Sequence, residues 1–439
     1  MINKFYFIGF GSIAQSLLEV FNIEKAFYNI PITIIEPKDI KHKDLFENRN
    51  VLHIKKAITK ENHKRLLKDI DNETLIIDLS VNVDSIMLLK FCKDRGTYYI
   101  NTSIENYEFP THNQNEFTYS SIKDNTLYHR ELIARDILKN TIKARFLNVG
   151  FNPGCIQAFF KRGIKEYAKL KNKKLIAGNY AKLANELGLE EVIIAEFDSQ
   201  KTNIKPTKSK FINTWSCVGF QEEASDNVML SVNNETKQGL SDDDVKFVSP
   251  DEGISKNNII FLQEKGMNVK RQAIYLDYQG NPHQYEGMLI PHAEISSMCE
   301  FLHYKGNSPN IMYIYKPCVA SIESLENFKN NKYNVLPDYY VIEKDDVISG
   351  FDSIGALMYF KNGDRYWCGS VVDIADVEKM GFRYSNATSI QVSGFLFACI
   401  KYLLKHPNEG YNESETLHHK ELFKYCNKYM GNIYSKLIE

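Results

Sequence analysis

Trp215 lies in "INTWSCVGFQEEASDN", a polar stretch that also carries Glu222, Glu223 and Asp226. An indole face attracts an ammonium group, and carboxylates pair with it. This combination suits a cationic ligand; a half-buried structural tryptophan is the other reading of the same residues. Trp367, the second tryptophan, stands in strand-like "RYWCGSVVDI" and reads as core. Further acids that could share a site are Glu105 in "NTSIEN", Glu196 in "IIAEFDSQ" and Asp352 in "ISGFDSIG". His292, in "LIPHAEI", is a lone histidine on an apolar run, which by itself reads as a satisfied core residue. Asn152 precedes Pro153 in "NVGFNPG", so its backbone is biased towards extended conformations. Its carboxamide either faces a cleft or completes a turn. No HExxH, P-loop or Ser-His-Asp order competes with these candidates. The eight cysteines form no CxxC pair and sit in apolar segments, so they read as reduced, buried thiols, with no metal site expected.

A second constellation lies at the start. "FYFIGFGSIAQSLLEVF" places Gly9, Gly11 and Ala14 between a strand and a helix. The first glycine permits a tight turn, the second lets backbone approach a pyrophosphate, and the small third residue lets helix and strand pack closely. Glu36 ends the next strand, 25 positions after Gly11. A carboxylate there accepts from ribose hydroxyls and repels a 2′-phosphate, which favours NAD over NADP. The expected cofactor contacts are Gly9, Phe10, Gly11, Ser12, Ile13 and Glu36. Ser80 in "DLSVN" and Asn101 and Thr102 in "NTS" join them, because ligands bind at the C-terminal ends of parallel strands. A glycine turn without a ligand, and polar strand ends that merely turn the chain, are the bland alternatives.

Positioning these residues requires a particular architecture. Residues 1–152 alternate strand-like and helix-like segments whose apolar runs are buried on both faces. That is the pattern of an α/β, doubly wound parallel sheet, a Rossmann domain. Residues 153–384 begin with helices ("CIQAFFKRGIKEYAKL", "KKLIAGNYAKLANELG") and continue as short strands. They predict an α+β substrate domain with a mainly antiparallel sheet. Residues 385–439 return to helices, including "KELFKYCNKYMGNIYSKLI", expected to pack back on the Rossmann domain. With 54 Lys plus Arg against 55 Asp plus Glu, no basic surface for nucleic acid is indicated. The N-terminal apolar run is broken by glycine and Gln15, which argues against a signal peptide. "GFLFACIKYLL" is interrupted by Lys401 and is too short to span a bilayer, so no membrane partner is expected.

Taken together, "IGFGSI" (8–13), "INTSIE" (100–105), "NPG" (152–154), "NTWSCVGFQEE" (213–223), "IPHAE" (290–294), "YWCGS" (366–370) and "NATSIQVSG" (386–394) carry a resemblance. The chain resembles the bacterial homospermidine synthase family of the saccharopine dehydrogenase-like group over nearly its whole length. The resemblance implies a transferase in which NAD is a recycled prosthetic group. A hydride leaves putrescine, the imine passes to a second amine through a Schiff base with loss of ammonia, and the hydride returns to give homospermidine. Spermidine can also serve as the donor. The resemblance also implies a homodimer, and the reduced cysteines point to a cytoplasmic protein.

The same resemblance implies residue roles. Trp215 would stabilise the cationic imine with its ring face, and Glu223 would act as its partner. Glu105 and Glu196 would anchor distal ammonium groups. Asn152 would stand next to nicotinamide and substrate, and His292 and Asp352 would line the pocket as proton carriers or orienters. Asn82 sits at a strand end where a carboxylate would help bind amines. It offers a hydrogen bond without charge and is not counted as catalytic. Two alternatives stand beside this reading. A saccharopine- or carboxynorspermidine-type NAD(P)-dependent dehydrogenase would place arginines against substrate carboxylates, and the stretches above hold none. A non-catalytic NAD-sensing protein would keep the glycine turn without needing the tryptophan and acids around one cavity.

Overall fold

The computed structural model describes residues 2–106, 117–240 and 246–439. The N-terminal part forms β1 (Lys4–Ile8), α1 (Ser12–Ile23), β2 (Ile32–Ile35), β3 (Val51–Ile54), β4 (Thr74–Asp78) and β5 (Tyr98–Asn101). The helix α2 (Leu127–Leu138) and the short β6 (Arg145–Phe146) follow. These six strands pair in parallel, in the order β3-β2-β1-β4-β5-β6. Both central strands β4 and β5 are buried along their whole length, as strands covered by helices on two faces must be. "KENHKRLLKDI" reads as helical, yet only His63–Leu66 forms a turn of α-helix. Its apolar residues suffice to bury Leu67 and Ile70 and no more.

The second part opens with α3 (Cys155–Leu170) and is built on β7 (Leu189–Asp198), α4 (Cys217–Ser225), β8 (Asn227–Ser231), β9 (Ile259–Lys265), β10 (Lys270–Leu276) and β11 (Pro282–Leu289). Next come α5 (Ala293–Phe301), β12 (Asn310–Lys316), β13 (Phe351–Phe360) and β14 (Arg365–Asp373). Its sheet is antiparallel except between β12 and β7, which run parallel. Helix α3 lies against β13 and β14 so closely that a Cβ at Gly163 would come within 2.6 Å of Cys368 Cβ. Trp367 is fully buried in this sheet's core, as its setting predicts. Of "KKLIAGNYAKLANELG", only Tyr180–Leu187 is helical: Asn179 caps its start and Gly188, at φ +70°, ends it.

The chain closes with α6 (Ala387–Lys405), β15 (Tyr411–Asn412), α7 (His419–Cys426) and β16 (Asn432–Ile438). Helix α6 is long and apolar enough to cross a membrane by length and composition, but 83% of that stretch is buried inside the molecule. It packs on α1, where Ser16 and Ser393 share a hydrogen bond of 2.7 Å. The loop before it is held by Glu19, which accepts the backbone N–H groups of Arg383, Tyr384 and Ser385. The final stretch departs from its helical reading. The helix ends at Cys426, a 3-10 turn covers Asn427–Tyr429, and after Gly431 at φ +51° "NIYSKLI" pairs as β16 against β14. β15 adds a seventh parallel strand to the Rossmann sheet, beside β6.

Candidate active site

The glycine turn is built by steric necessity at one position and by openness at the other. Gly9 has φ +80°, and a Cβ on it would lie 2.7 Å from Ser80 Cα and 2.8 Å from the Leu79 carbonyl oxygen. Gly11 is the N-cap of α1; no side chain caps the helix, and a Cβ at Gly11 would meet nothing within 4 Å. The first turn of α1, with Ser12 and Ile13, therefore keeps N–H groups for an anion. Glu36 Oε2 accepts the Phe10 N–H at 2.9 Å and Oε1 that of Lys38 at 3.0 Å, which sets a carboxylate against the turn. Each oxygen retains a lone pair for a ribose hydroxyl. These residues fit a dinucleotide with an unphosphorylated ribose.

The strand ends beyond the turn differ among themselves. Ser80 donates to Asp78 Oδ1 at 2.6 Å, and Thr102 is half-buried beside Gly150. Asn101 does not offer its side chain. It is fully buried, donates to the Ser103 carbonyl at 2.6 Å and accepts the Asn148 N–H at 2.9 Å. Its amide staples the ends of β5 and β6 together. Asn82 is exposed with φ +61°.

Residues from both parts of the chain line one cavity. Ser103–Glu105 follow β5, Arg130 lies on α2, and Asn148 and Pro153 follow β6. Glu222, Glu223 and Asp226 sit on and just after α4, and His292 leads into α5. Burial pushes the Glu105 carboxyl up to about 7 and that of Glu222 up to about 8. For Glu105, the Ser103 hydroxyl at 2.6 Å and the Arg130 guanidinium pull the other way. Glu223 is raised too, again by burial, with His292 opposing. Burial alone would push the His292 imidazole down. Glu294, 2.6 Å from Nδ1, and Glu223, 3.6 Å from Nε2, outweigh it and hold the ring well above its ordinary value.

A network of buried groups adjoins this cavity. The His292 ring packs on Tyr313, with centroids 4.8 Å apart, and Tyr313 stacks on Tyr315, two residues along β12. The Tyr313 hydroxyl donates to Glu196 Oε2 at 2.6 Å, and Asn152 Nδ2 donates to the same oxygen at 2.8 Å. Trp215 Nε1 donates to the Tyr315 hydroxyl at 3.3 Å, and its ring lies 5.4 Å from Phe220. Burial pushes Glu196 up to about 7 and Asp198 up to about 6. Asp352 stands opposite Asp198 in the β7–β13 register. Burial and the charges of Glu196 and Asp198 push it well above the carboxylate range.

Glu105, Glu223 and His292 thus share the cavity wall, while Trp215, Asn152 and Glu196 belong to the network that reaches it through Tyr313. Asp352 lies deeper still. It is 1% exposed and is absent from the cavity wall, with Oδ2 accepting from Thr388 at 2.6 Å and Oδ1 unpartnered. Tyr313 and Tyr315 escaped sequence reading, although their two-residue spacing in "IMYIYK" puts both on one strand face. Arg130 carried no signal at all, because only the docking of α2 brings it to the cavity. Its presence removes the argument that a site without arginine distinguishes diamines from carboxylate substrates. The four acids around it still leave the wall predominantly anionic.

Comparisons with known proteins agree with this geometry. Residues 5–134 match the family model of the saccharopine dehydrogenase NADP binding domain. Homospermidine synthase from Mesorhizobium japonicum is 25% identical, with 97% of this chain and 88% of that protein aligned. The homospermidine synthase of Blastochloris viridis is 26% identical, with 97% and 89% aligned. The crystal structure of homospermidine synthase from Legionella pneumophila, solved in complex with NAD, superposes with a TM-score of 0.85 at 25% identity, covering 100% of this chain and 92% of that one. Apo saccharopine dehydrogenase (L-Glu forming) from Saccharomyces cerevisiae shares the fold, at a TM-score of 0.54 and 10% identity. Over nearly all of its length and of theirs, the chain is similar to these homospermidine synthases, and its first part matches the saccharopine dehydrogenase NADP binding domain.

Proposed function

We propose that this protein is a homospermidine synthase that moves the aminobutyl group of putrescine, or of spermidine, onto a second putrescine, releasing ammonia or diaminopropane. The observation that carries this reading is a carboxylate-lined cavity, joined to a half-buried indole and buried tyrosines, in a chain that also bears a dinucleotide turn. Bound NAD supplies the redox chemistry, withdrawing a hydride from the amine-bearing carbon and later returning it, so that no net oxidation occurs. Glu36 favours NAD over NADP, although the matching family model is described by NADP.

The rest falls to the protein's own groups. An amine must be neutral before its carbon can lose a hydride, so a base has to take its proton. Glu223, raised and paired with His292, suits that task, and His292 between two carboxylates can pass the proton on. A cationic imine gains more from carboxylates and an indole face than a neutral amine does, which is the differential binding that accelerates the step. Trp215, held by Tyr315, supplies that face. Glu105 and Glu196 hold the distal ammonium groups, and Asn152 fixes the Glu196 carboxylate. A homodimer is the assembly the resemblance implies, the reduced cysteines suit the cytoplasm, and light scattering in solution tests the dimer.

Incubation of the purified protein with putrescine and NAD is expected to give homospermidine and ammonia without accumulation of NADH. NADH formed in step with product would make the protein a plain dehydrogenase. No product from any amine would favour a binding protein.

A further inference from the structure

Helix α2 carries two arginines in opposite states, Arg130 buried and Arg135 partly buried. Arg135 is locked: Nε lies 2.8 Å from Glu413 and Nη1 2.6 Å from Glu300. Arg130, 8% exposed, is loose. Its Nη1 is 4.0 Å from Glu222 Oε1, beyond hydrogen-bond length, and its Nε is buried without a partner. A guanidinium kept out of water with so little to hold it is costly unless the site needs the charge.

The groups around it show why it would be needed. Glu105 faces the cavity from the loop after β5, Glu222 and Glu223 from α4, Asp226 from just beyond it, and His292 from the start of α5. We propose that Arg130 is a positioning residue for amine capture: its guanidinium is the resident counter-ion of Glu105 and Glu222 and yields them to an incoming ammonium group. Acids crowded into one cavity without a fixed cation take up protons instead, and a neutral carboxyl holds no ammonium. Arginine stays charged at any working pH, and a pair at 4.0 Å is exchanged more easily than a locked one. Burial already raises Glu105 and Glu222 to about 7 and 8 with Arg130 beside them. Without it both would lie higher.

This inference rests on the reading of the cavity as the amine site, so the wild-type protein is assayed first. Turnover of putrescine upholds that reading and its absence overturns it, whatever Arg130 does. Arg130→Gln and Arg130→Lys are then compared with wild type across pH 6.5, 7.5 and 8.5. For Arg130→Gln the KM for putrescine is expected to rise about tenfold at pH 6.5, the factor that follows when a neighbouring carboxyl titrates about one pH unit higher, and to converge on wild type by pH 8.5. The loss falls on KM more than on kcat, and Arg130→Lys restores the wild-type profile. A KM raised equally at every pH, or unchanged throughout, overturns the proposal while leaving the synthase reading intact. Should the glutamine variant not fold, the lysine variant decides: a KM more than about tenfold above wild type at pH 6.5 overturns it.

Discussion

Asn152 Nδ2 donates to Glu196 Oε2 at 2.8 Å, tying the turn after β6 to the strand β7 of the second sheet. Tyr313 donates to the same oxygen at 2.6 Å, so one carboxylate is fixed from two sides. Removing the amide frees Glu196 on one side and withdraws a hydrogen bond that favours its ionised form. We expect Asn152→Ala to lower kcat/KM for putrescine by roughly 10²-fold, the scale of a small misplacement of a positioned group. An unchanged kcat/KM would show that Glu196 needs no such support.

Trp215 offers two things that substitutions separate: a ring face and an N–H that donates to Tyr315. Trp215→Phe keeps a face and loses the donor. Trp215→Ala loses both, forfeiting ~1–2 kcal/mol of cation–π attraction at a desolvated site. Steady-state assays should show the alanine variant about tenfold or more below the phenylalanine variant. Equal activities would remove the ring from the mechanism.

The raised carboxyls set two opposite pH dependences. Glu105 and Glu196, at about 7, and Glu222, at about 8, must ionise to hold ammonium groups, so kcat/KM for putrescine should climb from pH 6 to 8.5. Stability runs the other way. In the folded chain these groups hold protons that the unfolded chain releases near 4.5, so their stabilising contribution is complete below that value and is lost as pH rises through 7 to 8. The raised His292 loses its contribution in the same direction. The ligand-free melting temperature should fall between pH 6 and pH 9, and putrescine should recover part of the loss at the alkaline end. A melting temperature that rises over this range would contradict the assignment.

The two glycines of the turn should fail differently. A Cβ at Gly9 collides with the backbone at Leu79 and Ser80, so Gly9→Ala should lower the melting temperature without any nucleotide present. Gly11→Ala meets no protein atom within 4 Å. Its fold should stand while retention of NAD, measured after gel filtration, drops. Equal retention by Gly11→Ala and wild type would place the pyrophosphate elsewhere.

Much of this is legible in the sequence because its signals are local. Gly9, Gly11 and Glu36 announce the nucleotide turn through spacing along adjacent elements, and the apolar runs of β1, β4 and β5 announce a two-sided parallel sheet. The polarity of Asn101 does not tell that its amide is spent on joining two strand ends. For Asp352, strand alternation says which face a residue takes, but not how deep that face lies. Arg130 is invisible because its role depends on the docking of α2 beside α5, far along the chain. The strand at 432–438 is hidden by a helical segment immediately before it, and only Gly431 marks the change.

The final segment enters both sheets, giving β15 to the first and β16 to the second, while α6 covers α1. Neither sheet can therefore be completed by its own stretch of chain. A ribosome has made over four hundred residues before the Rossmann edge receives its last strand. Such distant closure slows folding and makes the two halves cooperate rather than mature one after the other. The C-terminal residues act as a clasp, and the alignment of the nucleotide turn with the acid cavity is secured only when that clasp shuts.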